Sequence, residues 1–217
     1  AVDTQRYRPR ATFVVLIVSF FNRGKGHDDL LEAVRRLNDP NVELWVVGGE
    51  GPGLPVDVRA IAERLGILDQ VAFFGPQRGP ALEALYRRCD VFCLPSKTTE
   101  SGVKEGFPTV IAEAMSFGKP VISTDHAEIP NVIDEVIIAE GDVEGLKEAI
   151  AYLRDDAAAR ERIGTANRLK AERLFTFDNV RVTSEALTAL ARVGHHEASK
   201  QSDTAVPHGG GEVERSA

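Results

Sequence analysis

Short apolar runs alternate with amphipathic stretches along most of the chain. Thr12–Ser19, Val42–Gly48, Val71–Phe74, Val91–Leu94, Pro120–Ser123 and Val136–Ala139 read as strands. Several carry Val, Ile, Leu or Phe at consecutive positions instead of in alternation, as strands covered on both faces do. Between them apolar residues recur at helical spacing. In the first such stretch Leu30, Leu31, Val34 and Leu37 share one face, with Asp28, Asp29 and Glu32 near its start and Arg35 and Arg36 near its end. That charge order complements a helix dipole. Further helices are expected around Val58–Leu65, Ala81–Arg88, Pro108–Phe117, Val143–Arg154 and Ala157–Leu174. A strand–helix alternation of this kind predicts an α/β fold, a doubly wound parallel sheet with helices on both faces. Such sheets bind ligands outside the carboxyl ends of their strands. The loops Phe20–Gly26, Gly48–Pro52, Gly75–Pro80, Pro95–Gly106 and Thr124–Pro130 are expected there.

Composition adds limits. A chain of 217 residues can bury a full core, and 43% hydrophobic with 27% charged residues is a globular balance. The net charge of −7 argues against nucleic acid or an anionic membrane as a partner of the whole surface. Only Cys89 and Cys93 occur, which implies no disulfide framework; Cys93 lies within an apolar run, so buried free thiols are expected. Phe13–Phe21 is far too short to span a bilayer, and no signal peptide is evident. These features suggest a cytoplasmic protein, with peripheral residence at the inner membrane face as an extension of that expectation. Residues 1–10 are polar and lead straight into a strand, as an interdomain linker would. Residues 11–193 form the expected domain. The tail, 194–217, is too polar to pack and is expected to be disordered. His195 and His196 within it lack further ligands at metal-site spacing.

The most informative stretch is Lys104–Met115, Lys-Glu-Gly-Phe-Pro-Thr-Val-Ile-Ala-Glu-Ala-Met. Pro108 suits the first position of a helix, where a missing N–H costs nothing. Gly106 and Phe107 then offer backbone N–H groups at the positive end of the dipole, a ready site for phosphate. Glu105 lies just ahead of those donors. Glu113 lies on the second turn, roughly 7 Å further along at ~1.5 Å rise per residue. The helix around Glu113 is otherwise apolar or small, so a largely buried helix is expected, in which a carboxylate needs a partner. An anion flanked by hydroxyl groups, such as a nucleotide diphosphate sugar, fits this arrangement.

From Glu105 to Pro130 the sequence resembles the carboxy-terminal, donor-binding domain of retaining glycosyltransferases of the large "glycosyl transferases group 1" family. It carries that family's two acidic residues with seven between them, Gly-Phe-Pro, a Gly-Lys-Pro-Val strand entry and an Ile-Pro turn. The resemblance runs from about Val2 to Ala191. It implies a Rossmann-like domain, one half of a GT-B fold, and transfer of a hexose from a UDP- or GDP-sugar to a glycan or lipid-linked acceptor, as in cell-envelope synthesis. By the same resemblance, Glu105 faces the donor sugar hydroxyls, Glu113 accepts from the ribose, and the Gly106 and Phe107 amides meet the sugar or diphosphate. Glu105 and Lys25 are the implied catalytic residues. Pro108 and Thr109 complete the helix start of the donor site. Gly75 and Pro76, within Phe73–Gln77, match the loop that contacts the base. The second phosphate element, an Arg and a Lys after the first strand, reads Ser19-Phe20-Phe21-Asn22-Arg23-Gly24-Lys25-Gly26. Lys25 matches the Lys, Phe20 occupies the Arg position, and Arg23 is the nearest cation to replace it. After Pro130 the loop is shorter than the family's.

Ala1–Pro9 resembles the hinge between the two domains of such enzymes, so an acceptor domain is expected to precede it. No Asp-x-Asp triplet occurs, and neither metal nor cofactor is expected. The alternative function is a non-catalytic or degenerate nucleotide-sugar-binding module. A dehydrogenase is disfavoured because the turn after the first strand lacks Gly-x-Gly-x-x-Gly. Mutase, epimerase or phosphorylase chemistry stays open on fold grounds.

Overall fold

A computed structural model describes residues 12–99, 102 and 106–176. The expected linker, the expected tail and Glu105 lie outside the described residues. The chain divides into two compact units, Ala1–Arg173 and Leu174–Ala217. The described elements belong to the first, apart from the last residue of the final helix.

In chain order these elements are β1 (Phe13–Val18), α1 (His27–Leu37), β2 (Val42–Val47), α2 (Val58–Arg64), β3 (Val71–Gly75), α3 (Gly79–Arg88), β4 (Val91–Leu94), α4 (Thr109–Ser116), β5 (Val121–Thr124), β6 (Ile137–Ile138), α5 (Val143–Asp155) and α6 (Ala157–Leu174). Every strand and helix expected from the hydrophobic pattern is present among the described residues. The strands form one sheet in the order β3-β2-β1-β4-β5-β6, and each neighbouring pair is parallel. This is the doubly wound, Rossmann-like arrangement.

The continuous apolar runs follow from that position. All six residues of β1 are buried, and Val15, Leu16 and Ile17 are wholly inaccessible. Side chains on both pleats therefore meet helices, and each contributes roughly 1.5–3 kcal/mol through burial. On one face α1 packs against α2 and α5. On the other, Tyr86 of α3 reaches α4, and α6 sits on the turn that follows α4. Cys89 and Cys93 are both buried free thiols. Burial pushes the Cys89 thiol up to about 12 and raises that of Cys93 as well, so neither is a nucleophile at neutral pH.

Chain order reverses between β1 and β4: β1 continues to β2 on one side, β4 to β5 on the other. A crevice opens outside the carboxyl ends of strands at such a point. Here the two loops that flank it touch. Gly26, at the start of α1, has φ of 65°, and a β-carbon there would lie 2.0 Å from the Pro95 carbonyl oxygen. The Lys97 amide donates to the Gly24 carbonyl at 2.9 Å. Only glycine permits both the left-handed turn and the contact.

Pro108 departs from expectation. It is the N-cap in extended conformation, and α4 begins one residue later, at Thr109. Its carbonyl accepts from the Ile111 amide at 3.0 Å, so its ring stands at the edge of the helix, not inside it.

The α4–β5 turn fixes the second half of the sheet. At Gly164 of α6 a β-carbon would lie 2.2 Å from the Gly118 carbonyl oxygen, and Asn167 Nδ2 donates to the Lys119 carbonyl at 2.9 Å. Alanine is the better helix former by about 1 kcal/mol. The clash is with backbone, however, and forcing helix and turn apart costs typically 1–3 kcal/mol. Gly164→Ala should therefore lower stability by up to about 2 kcal/mol, read as an earlier urea midpoint. A variant about 1 kcal/mol more stable than the wild type, the helix-propensity gain alone, would contradict the close α6–turn contact.

Candidate functional site

The reversal point collects most of the residues singled out in the sequence. From the β1–α1 loop come Arg23 and Lys25, on a single 3₁₀ turn capped by Asn22, whose Oδ1 accepts from the Gly24 amide at 3.1 Å. Lys25 is buried and Arg23 exposed. From the β4–α4 loop and α4 come Gly106, Phe107, Pro108, Thr109 and Glu113. The β3 loop brings Gly75, with φ of 65°, and Pro76 to the same edge of the sheet, where Pro76 packs beside Gly49.

The start of α4 has the properties of an anion site. Among the described residues no side chain caps it and its first turn holds no acidic residue, so nothing described there opposes the positive end of its dipole. Gly106 and Thr109 are exposed. Gly106 is informative for what does not require it. Its φ lies outside the left-handed region, and a β-carbon there would meet nothing within 4 Å among the described residues. The fold would tolerate a side chain at this point, whereas a ligand approaching the backbone would not.

Glu113 is exposed, contrary to the expectation of a largely buried helix. Ile111, Ala114 and Met115 form the buried face of α4, and Glu113 points away from it. One carboxylate oxygen still has a partner: the Tyr86 hydroxyl donates to Oε2 at 2.9 Å. Burial, together with the Glu113 carboxylate, raises the Tyr86 pKa, so the phenol stays protonated and donates. Phe20, at the position where the family resemblance implies an arginine, is 52% exposed. Its ring lies on the β2–α2 loop, where a β-carbon at Gly51 would be 2.3 Å from ring carbons.

Three further groups brace this end of the sheet and were not legible as site residues. Lys97 Nζ pairs with Asp28 at 2.9 Å and Asp29 at 2.8 Å, tying the β4 loop to the start of α1. Glu140, after β6, accepts from the Thr98 amide at 2.8 Å and the Thr98 hydroxyl at 3.0 Å. His126 Nδ1, on the β5 loop, lies 2.7 Å from the same carboxylate. Glu140 thus holds the loops of three strands. His27 is buried, its pKa lowered to about 4 by desolvation, so the ring is neutral at pH 7; its Nε2 lies 3.1 Å from Ser19 Oγ. Among the described residues no three His, Cys, Asp or Glu side chains converge as a metal site, and no helix is long and apolar enough to cross a membrane.

A cavity of about 420 Å³ lies elsewhere, lined by Arg87, Ser116, Phe117 and Arg168 at the opposite end of α4. Arg87 lies over the Phe117 ring, 4.9 Å from its centroid, and Arg168 pairs with Glu172 at 2.9 Å. Cations near a helix carboxyl end are expected on stability grounds alone.

Fold and strand order define a doubly wound, Rossmann-like α/β domain, and comparison with known proteins makes this specific. The family model "Glycosyl transferases group 1" matches residues 5–170, and the chain belongs to that family. It is 30% identical over 204 residues to the MMP alpha-(1->4)-mannosyltransferase of Mycolicibacterium hassiacum, covering 88% of this chain and 48% of that protein. It is 31% identical over 189 residues to a GDP-mannose-dependent alpha-(1-6)-phosphatidylinositol monomannoside mannosyltransferase of Mycobacterium tuberculosis, covering 77% and 48%. The chain spans about half the length of these relatives. Among solved structures, Anabaena HepE in complex with UDP-glucose has a GT-B fold half that superposes with a TM-score of 0.72 at 23% identity, over 82% of this chain and 49% of that one. At that identity the likeness establishes the fold.

Glu140 yields a pH prediction. Burial disfavours its ionised form, but the Thr98 amide, His126 and the Thr98 hydroxyl outweigh this and hold its pKa below the ordinary glutamate value. A lowered folded pKa gives stability that is complete above the unfolded value and lost as pH falls through the folded one. Glu140→Gln should cost about 1–3 kcal/mol at pH 7, and the gap between variant and wild type should shrink below about pH 4. Urea midpoints across that range check it. A gap unchanged at pH 3 contradicts the bracing role.

Proposed function

We propose that this chain is the donor-binding half of a retaining glycosyltransferase. It binds a UDP- or GDP-sugar and, together with an acceptor-binding domain, transfers the hexose to a hydroxyl of a cell-envelope glycan or glycolipid. The observation that carries the reading is the start of α4 at the β1/β4 reversal, which no side chain caps among the described residues and where Gly106 is neither strained nor crowded. A nucleotide diphosphate laid across that crevice puts its phosphates between the amides of Gly106 and Phe107 on one side and Lys25 on the other, with Arg23 nearby. Glu113 takes the ribose hydroxyls, because an ionised carboxylate only accepts and the hydroxyls donate. Gly75 and Pro76 meet the base. The role at the sugar hydroxyls falls to Glu105 by the family resemblance.

As the sugar–phosphate bond lengthens, the sugar approaches an oxocarbenium ion and the departing diphosphate gains negative charge. Fixed N–H groups and the Lys25 ammonium stabilise that charge where it grows. The acceptor hydroxyl attacks from the face that the diphosphate leaves and passes its proton to the departing phosphate oxygen, so configuration is kept without a covalent enzyme intermediate. The reading requires no metal, in keeping with the absence of an Asp-x-Asp triplet. The family relatives named above support a sugar-transfer role; the mycobacterial one is GDP-mannose-dependent by name, and HepE was crystallised with UDP-glucose.

A second reading, a binding module without turnover, draws support from Phe20. Where an arginine would add a charge-assisted contact of about 1.5–3 kcal/mol, the chain presents an exposed ring.

Titration calorimetry with UDP and GDP separates the possibilities. Wild type should bind at least one of them. Glu113→Ala should weaken that binding about 10- to 100-fold, the loss of hydrogen bonds to a charged acceptor. Gly106→Ala should leave the unfolding midpoint unchanged while binding falls. Absence of binding by the wild type, or a Gly106→Ala protein that binds normally, contradicts the donor-site reading. Binding that yields no transfer even with an acceptor domain supplied favours the second reading.

A further inference from the structure

We infer that Tyr86 is a positioning residue that sets the Glu113 carboxylate for a vicinal diol, the ribose 2′- and 3′-hydroxyls of the nucleotide. The inference rests on the donor-site reading above. Tyr86 is 1% exposed, and its ring is held from two sides. Phe117 stacks on it, with centroids 5.4 Å apart and planes 9° from parallel, and Phe92 of β4 lies against it at 5.9 Å. A ring gripped in this way has one direction for its hydroxyl, toward α4. There it donates to Glu113 Oε2 at 2.9 Å, with the Val110 carbonyl at 3.4 Å on the same side.

A purely structural account would make Glu113 the acceptor that a buried phenol needs. Two observations weigh against it. The Val110 carbonyl offers a substitute acceptor in the same direction, so the phenol does not depend on Glu113. Glu113 itself is exposed, and an exposed glutamate fully solvated by water needs no buried donor. The bond therefore does more for the carboxylate than for the tyrosine. It holds a flexible side chain in one orientation and uses one of about four acceptor directions, leaving the others for hydroxyl donors. Fixing the carboxylate beforehand removes ordering entropy from the binding step.

The same contact couples two parts of the site. Glu113 and the Gly106–Phe107 amides belong to one short helix and its lead-in, while Tyr86 belongs to α3. The tether thus holds the helix that carries both the ribose acceptor and the phosphate donors against a neighbour fixed by the core.

The test uses Tyr86→Phe, which keeps the ring and its stacking and deletes only the hydroxyl. In the full chain it should weaken UDP or GDP binding about five- to tenfold, the scale of one ordinary hydrogen bond's net contribution, since the hydroxyl acts on the nucleotide only through Glu113. It should leave binding of the 2′,3′-dideoxy diphosphate unchanged, and in a Glu113→Ala background it should add nothing. Independently of any ligand, the two Glu113 γ-methylene protons should be distinct by NMR in the wild type and averaged in Tyr86→Phe. Equal weakening of the ribo- and dideoxynucleotides would show a general structural effect and overturn the proposal. So would unchanged ribonucleotide binding or γ-methylene signals indifferent to the hydroxyl. A wild type that binds neither nucleotide overturns the donor reading and the ribose role with it, and the NMR comparison still decides whether Tyr86 fixes the carboxylate.

Discussion

At the centre of the sheet the loop after β1 and the loop after β4 come into backbone contact, Gly26 against the Pro95 carbonyl and Gly24 against Lys97. A side chain at Gly26 would force these loops apart. The consequences run outward from that point. The starts of α1 and α4 are brought to one crevice, so the loop that carries Lys25 and the loop that leads into α4 border the same space. Lys97 reinforces the contact by pairing with Asp28 and Asp29, and Glu140 extends it to the loops of β5 and β6 through Thr98 and His126. A charge-binding site on loops needs this kind of bracing, because electrostatic stabilisation is greatest when donors need no reorganisation.

Much of the fold was legible in the sequence for a plain reason. Strands buried on both faces need apolar residues at successive positions, and β1, β2 and β4 have them. Helices between them need one apolar stripe, and α1 shows it at Leu30, Leu31 and Val34. The carboxyl-end loops followed from topology, and so did the place of Lys25, Gly75 and Gly106. Glu113 stands out in the sequence by its spacing and company, but its exposure on α4 differs from the buried setting that the sequence suggests. In α4 Ala112, Ala114 and Ser116 are interspersed with Val110, Ile111 and Met115, and small residues do not distinguish a buried face from an exposed one. The three-dimensional answer is a helix with one buried stripe and Glu113 off it.

Other features had no local signal. Tyr86 meets Glu113 because α3 and α4 lie side by side, a contact between residues 27 apart in sequence. Glu140 reaches Thr98 across 42 residues. A sequence pattern records the burial demands of one element at a time, so side chains that link elements escape it. Phe20 is the opposite case. Its departure from the family's arginine was evident at once, and the structure adds that the ring rests on Gly51 with half its surface open. Under the proposed donor reading, the crevice keeps Lys25 as one of the two cations that the family resemblance implies, and an exposed aromatic ring stands where the other would be.

The central claim is that a nucleotide diphosphate binds at the β1/β4 reversal. Amide NMR of the full chain during titration with UDP or GDP tests it most directly. The account predicts that Gly106, Phe107, Thr109 and Gly26 shift together and saturably, while amides at the amino ends of the strands, such as Val42 and Val91, stay in place. Shifts confined to the cavity around Arg87, Phe117 and Arg168, or no saturable shift at all, would contradict it.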